Sequence, residues 1–348
     1  MIRESFTNDE RERLLPFFTN VEDSVFGLVN MPETVKGAMF ARYSRYHGTL
    51  RRMFLDEFAG DLDTVAARAY DGAEGARAAK LYERIFLGYG DDSVAQLGGA
   101  HIACEWVSNV LTKQLQRGRL AAYLEQSTRY IAYDRPMLGG GFRYYRDPEL
   151  GPRYPRAMDE LFKTYEAVMP RVMASVAAHY PVADGADEQA HRRAVTAKAL
   201  DLLRGLLPAA SLSHMGIYAS GQAYENMLLR LAASPLPEAR RCGERMLCEL
   251  QKVIPSFVQR VERPDRGGRS IEYLASLRAN GERWSAKLGI GEPVDETDAG
   301  PSVRLLHHEG DERRLAAALL YESGAVSERQ IAAAVDALDG AQLSALLA

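Results

Sequence analysis

Apolar positions recur along most of the chain with a period near 3.6, so the sequence predicts mainly helices with a few short strands between them. Val25 to Val29 alternates with period two and runs into Asn30-Met31-Pro32, a strand followed by a turn. Pro32 suits the first turn of a helix reaching about Arg45, because its φ is already helical and its missing donor is not needed there. Ala66 to Phe86 repeats the helical pattern, and Gly88 and Gly90 end it. Ser93 to about Arg117 is largely apolar and predicts one long helix, capped by Ser93 and with Asp91 and Asp92 at the positive end of its dipole. Ala121 to Tyr133 then reads as a loop or turn leading to the aromatic run Phe142-Arg143-Tyr144-Tyr145.

The second half of the pattern is again helical. Arg156 to Tyr180 and Asp187 to Leu206 predict two amphipathic helices, the first closed by Tyr180-Pro181. Ser211 to Tyr218 predicts a strand. Glu225 to Leu231 and Glu238 to Val261 predict two more helices, the latter kinked or shortened at Pro255. Composition then changes. Arg263 to Arg269 is turn-rich and charged, and Ile290 to Pro301 is acidic and linker-like. The segment from Val303 repeats the strand–turn–helix spacing that begins at Val25. The expected layout is therefore a domain over 1–262, a linker over 263–301, and the opening of a second, incomplete repeat over 302–348.

Composition narrows the function classes. The 348 residues are 47% hydrophobic and 26% charged, enough for a full core without disulfide staples. A net charge of −4 gives no global basic field for nucleic acid, so any anion site must be a local convergence of arginines. The three cysteines, Cys104, Cys242 and Cys248, have no metal-ligand spacing and read as reduced, mostly buried thiols. His101, His179, His191 and His214 show no ligand spacing either, so no metal is expected. The charged start and the absence of a long apolar run predict a soluble, cytoplasmic protein. Gly139-Gly140-Gly141 lacks the setting of a phosphate loop and reads as a turn.

The densest chemistry lies between Lys113 and Tyr130. Arg117-Gly118-Arg119 is followed after seven residues by Ser127, then Thr128-Arg129-Tyr130. A nucleoside monophosphate needs several cationic and hydroxyl groups around a dianion, and arginine's planar fork suits phosphate. Taken alone, Arg117 and Arg119 would be surface charges, and Arg204 a helix-face partner of Asp201 or Glu225. Their order and spacing, however, resemble those of the flavin-dependent thymidylate synthases. That family carries Arg-His-Arg, seven residues, then Ser-x-Arg-Tyr. It also has a Gln three residues before the first Arg and an acid two before the Ser, here Gln114 and Glu125. Arg204, three residues before Leu207-Pro208, and Leu229-Arg230 match two downstream elements. The departures are Gly118 and Asp91, where the family has His, and Ser220 and Gln222 in place of Asn-x-Arg. The resemblance runs from about Val25 to Val261.

It implies an α+β fold, a twisted and mainly antiparallel sheet flanked by helices, in homo-oligomers whose sites combine residues of neighbouring subunits. It also implies reductive methylation of dUMP to dTMP, with methylenetetrahydrofolate as carbon donor, FAD as carrier and NADPH as reductant. On that resemblance Gln114, Arg117, Glu125, Ser127, Thr128, Arg129, Arg204 and Arg230 serve the nucleotide, with Arg230 and Ser127 closest to the chemistry. Gly118, Arg119, Ser93 and Gln222 fall to the flavin. Two further readings stand beside this one: a non-catalytic nucleotide-binding repeat, and methylation of another pyrimidine nucleotide such as UMP.

Overall fold

The structure is a computed structural model. It describes residues 4–31, 33–59, 95–96, 98–137, 140–182, 185, 187–289, 303, 305, 309–321 and 326–347. The chain divides into two compact units, Met1–Lys287 and Leu288–Ala348. The first is built on a four-stranded, fully antiparallel sheet: β1 Val25–Leu28, β2 Gly99–Ser108, β3 Ala121–Glu125 and β4 Leu212–Ser220. Their spatial order is β1-β2-β4-β3. The α+β class expected from the sequence is what forms.

The sheet is covered on both faces, and strand alternation decides which residue goes where. Ala100, Ile102 and Cys104 of β2, with Met215, Ile217 and Ala219 of β4, face a core shared with three helices. These are Gly221–Ala232, Pro237–Val253 and the short Pro255–Val258. Phe26, Leu28 and Ala103 face the other way, into a core with Leu14 from helix Asn8–Leu14 (α1), Phe40 and Tyr43 from Glu33–Tyr43 (α2), and Met53 and Phe54 from Leu50–Glu57 (α3). A third cluster, around Tyr133, Tyr144, Phe162, Tyr165 and Leu203, joins helix Arg153–His179 to helix Glu188–Leu203. Tyr133 and Tyr144 are thus packing residues, whereas Tyr130 is exposed.

Two expectations are corrected here. The long helix predicted over Ser93 to Arg117 is largely strand β2, and only Asn109–Leu115 (α4) is helical, capped by the Ser108 hydroxyl, which accepts from the Leu111 N–H at 3.0 Å. A strand buried on both faces gives a continuous apolar run, and such a run carries no period to tell it from a helix. The loop predicted over Ala121 to Tyr133 begins as β3 at the sheet's edge. The helix predicted over Ala66 to Phe86, with its glycine stop, and the Ser93 cap lie outside the described residues. In the segment read as a linker, a π-turn at Pro264–Gly268 leads into helix Arg269–Leu288. In the second unit, helices Glu312–Tyr321, Glu328–Asp336 and Gly340–Leu347 enclose Ala316, Ile331, Val335 and Leu343. The strand expected from Val303 falls mostly outside the described residues. Among the described residues no helix is long and apolar enough to cross a membrane.

One charged residue ties β2 to the helices. Glu105 is 2% exposed, accepts from the Leu50 N–H at 2.8 Å and the Tyr43 hydroxyl at 3.0 Å, and lies 3.7 Å from the buried Arg51. Burial pushes its carboxyl above the usual range, and Arg51 pulls it back. Glu105→Leu leaves the Arg51 guanidinium buried without a counter-charge, so it should cost about 3–5 kcal/mol of stability, read as a lower midpoint in urea unfolding.

Candidate functional site

The motif residues hang from the edge of the sheet. Helix α4 carries Lys113 and Gln114 and ends at its cap, Gln116; the turn after it holds Arg117, Gly118 and Arg119; β3 then brings the chain back along β4 to Glu125. The ladder continues one residue further. Gln126 donates its N–H to the His214 carbonyl at 2.9 Å, and its own carbonyl accepts from the Ser213 hydroxyl at 3.2 Å. Ser127 and Thr128 therefore leave the sheet from a fixed point. The Ser127 hydroxyl accepts from the Arg129 N–H at 3.3 Å and closes the turn that follows.

A solvent-open cleft of ≈ 740 Å³ lies here. Gln114 comes to it from α4, Glu125, Ser127 and Thr128 from the end of β3, and Arg204 from the end of helix Glu188–Leu203. Five residues predicted for the nucleotide thus share one cavity wall. Glu125 accepts from Lys113 and from Gln116, each at 2.8 Å, which fixes α4 against β3. Arg204 and Arg129 both approach Oδ1 of Asp201, at 3.2 and 2.9 Å, so one carboxylate draws the two arginines together. Asp201, Thr128 and Arg204 line a second depression beside the first.

Arg117 and Arg230 form a separate group around the glycine of the motif. A Cβ at Gly118 would sit 3.1 Å from Nη2 of Arg230 and 3.3 Å from the Tyr123 hydroxyl. Arg230 is half-buried; burial lowers its affinity for the proton, the Tyr123 phenol opposes that, and the nearby Arg117 charge reinforces it. Its Nε and the Tyr123 hydroxyl are buried without a protein partner. Arg230 also faces a groove lined by Asn226, Arg269 and Tyr273. Arg117 and Arg119 are exposed, and neither pairs with a carboxylate among the described residues. Gln222, on the first turn of its helix, accepts from Gln96 at 2.6 Å. Ser93 lies outside the described residues.

Asn109, Val110, Gln126 and Ala209 line the cleft without having been singled out in the sequence. Asp201 is legible there as the i,i+3 partner of Arg204, but its bridge to Arg129 depends on the tertiary fold. Glu225, the other candidate partner of Arg204, is paired with the buried Arg260 at 2.5 Å. Cys104 and Cys242 are buried and Cys248 is exposed. The Cys104 thiol is pushed up by its hydrogen bond with Cys242 and by burial, so it is not an activated nucleophile.

Residues 49–256 match the family described as thymidylate synthase complementing protein. A UPF0159 protein of Chlamydia pneumoniae is 38% identical over 318 residues, which cover 88% of this chain and 59% of that protein. A flavin-dependent thymidylate synthase of Pyrococcus abyssi is 34% identical over 89 residues, 24% of this chain and 36% of that protein. A flavin-dependent thymidylate synthase of Helicobacter pylori, solved in complex with FAD and dUMP, is 12% identical with a TM-score of 0.39, covering 66% of this chain and 94% of that one. The chain spans about three fifths of the length of the first curated relatives it matches.

Asp201 neutralises part of the positive charge that Arg129 and Arg204 would offer an anion. Asp201→Asn should tighten binding of inorganic phosphate to the cleft several-fold, measured by 31P line broadening at low salt. Unchanged phosphate affinity would mean that these two arginines do not address the cleft.

Proposed function

The chain belongs to the thymidylate synthase complementing protein family, and from that premise we propose that it binds a pyrimidine nucleoside monophosphate and methylates its ring, converting dUMP to dTMP. The observation that carries this reading is the single cleft holding Gln114, Glu125, Ser127, Thr128 and Arg204, with Arg129 drawn to its rim by Asp201. Two guanidiniums, two hydroxyls and side-chain amides around one cavity form the donor set a phosphate dianion requires. Arg230 suits a different task. A partly desolvated guanidinium with an orphaned Nε is a donor held ready for negative charge that develops on a ring, and such preorganised donors are worth far more in a dry site than in water.

The proposed cofactor is FAD, with methylenetetrahydrofolate and NADPH as co-substrates. The turn at Gly118 suits a flavin dinucleotide's pyrophosphate: Arg119 stands there exposed and without an acidic partner among the described residues, and the glycine lets the turn lie close against Arg230, which a Cβ would approach to 3.1 Å. Arg119 would hold that pyrophosphate, Gln222 would offer an uncharged contact, and Arg117 would reach from the same turn toward the nucleotide. When bound, flavin supplies the redox step that turns a transferred one-carbon unit into a methyl group. The chain's own residues bind the phosphate, orient the ring and stabilise charge on it. A protein thiol is not needed for this reaction, in keeping with the sequestered Cys104 and Cys242.

The two arginine groups, one at Arg204 and one at Arg230, also suit a site completed between copies of the chain, so the active form proposed is a homo-oligomer.

Purified protein should show flavin absorbance bands after addition of FAD and should convert dUMP to dTMP. Arg230→Ala should lower kcat by roughly 10²–10³-fold, as loss of one preorganised donor does elsewhere. Arg204→Ala should instead weaken dUMP binding by about 1.5–3 kcal/mol, the value of a hydrogen bond to a charged group, with a smaller effect on kcat. A colourless protein that binds dUMP calorimetrically without turnover would establish the non-catalytic repeat instead. Competition in which UMP displaces dUMP at equal concentration would move the substrate to the ribonucleotide.

A further inference from the structure

A second cavity, of ≈ 590 Å³, lies elsewhere in the first unit and takes no part in the reading above. Its wall includes His47, Trp106, Tyr133, Asp134, Arg135 and Arg143. Its volume falls in the range of small-molecule sites, and its lining mixes aromatic rings with a few convergent polar groups.

Arg143 is the unusual member. It is only 7% exposed, yet no carboxylate of the described residues pairs with it. Its Nη2 donates to the Oε1 of Gln126, its Nε is sealed without an acceptor, and Nη1 makes no hydrogen bond among the described residues. The guanidinium carbon lies 5.0 Å from the Trp106 ring centre and 4.9 Å from that of Tyr133. Ring faces attract a cation but do not replace an anion, so a buried guanidinium so placed lacks its natural partner. By contrast, the other deeply buried arginines, Arg51 and Arg260, each face a glutamate.

Trp106 is the second anomaly. It sits at an irregularity in β2, between Cys104 and Val107, with φ at 58°. Positive φ is unfavourable for a bulky residue and persists only where its surroundings impose it. Here the Trp106 N–H leaves the strand ladder and donates to Nδ1 of His214 at 3.1 Å, while the indole lies edge-on to that imidazole. Burial and the Arg143 charge hold His214 well below its usual range, so it stays neutral and accepts this bond. The strained backbone is what turns the indole to the cavity wall. Tyr133 is fixed as firmly, its hydroxyl donating to the Leu212 carbonyl at 2.9 Å.

We propose that this cavity is a ligand site separate from the nucleotide cleft, and that it takes a small planar aromatic anion. The ring lies against Trp106, with Tyr133 sealing the wall behind Arg143, and the carboxylate or phosphate meets Nη1 of Arg143, with Arg135 and His47 beside it. Burial and the charges of Arg143 and Arg135 hold His47 below its usual range while Asp134 opposes them, so at neutral pH it meets the ligand uncharged. Asp134 has no partner among the described residues and would accept from an N–H or amino group on the ring. Glu4, also on the wall, is engaged with Arg52 and Thr49. The two sites touch through one residue, because Gln126 lines the nucleotide cleft and accepts from Arg143.

The chain has two tryptophans, so Trp284→Phe leaves Trp106 as the sole fluorophore of that type in the full-length protein. Its emission should be quenched saturably by 4-nitrobenzoate or by 4-nitrophenyl phosphate, and the tighter of the two identifies the anion. Uncharged nitrobenzene should bind roughly tenfold more weakly, and Arg143→Leu should weaken the anions by a similar factor. Arg135→Ala, at an exposed position, should shift affinity in the same direction with an unaltered thermal melt, which keeps the test valid if Arg143→Leu folds poorly. dUMP should not displace the probe. Quenching that never saturates, equal binding of nitrobenzene, or displacement by dUMP would overturn the proposal.

Discussion

The pairing of β4 with β2 on one side and β3 on the other is the constraint on which the rest of the structure depends. β4 is buried along nearly all its length, and its register places Glu125 opposite Met215 and Ala121 opposite Ala219. The last backbone bond of that edge, from Gln126 to His214, fixes the point where the chain turns away as Ser127. A slip of one residue would turn Tyr123 and Glu125 to the other face of the sheet and separate Glu125 from Lys113 and Gln116. The cleft is therefore a consequence of strand register before it is a consequence of charge.

Charge then divides the arginines into two kinds. Some are held by acids: Arg51 by Glu105, Arg260 by Glu225, and Arg129 and Arg204 jointly by Asp201. Others have none among the described residues: Arg117 and Arg119 on the turn after α4, and Arg143 beneath Trp106. The first kind serves the fold or presets a binding wall. The second kind is left with unspent hydrogen-bonding capacity, and a guanidinium keeps its charge whatever its surroundings. The nucleotide cleft draws on the first kind, through Arg204 and Arg129, and the cavity beneath Trp106 on the second.

Gln126 is the hinge between the two sites. Its backbone extends the β3–β4 ladder, its amide accepts from Arg143 and donates to the Tyr46 carbonyl at 2.6 Å, and its side chain forms part of the cleft wall. Few groups are so fully committed while almost wholly buried. A change in the state of Arg143 would reach the nucleotide cleft across a single hydrogen bond.

Much of this was legible in the chain. The spacing of Gln114, Glu125, Ser127 and Arg204 singled out residues that the fold brings to one cleft, whereas Arg117 and Arg230, read for the same ligand, gather apart from it around Gly118. Strand β4, the breaks at Pro255 and Tyr180, and the two long helices after residue 150 followed from local period and from proline. The sequence could not show that Gly99 to Ser108 is a strand, since burial on both faces erases the alternation that marks one. Nor could it show that the arginines divide between Asp201 and Gly118, or that Trp106 bends out of β2 to cover a guanidinium without an acid. Those facts depend on which distant segments pack together, and pairing at long sequence separation leaves no periodic trace in the residues that take part in it.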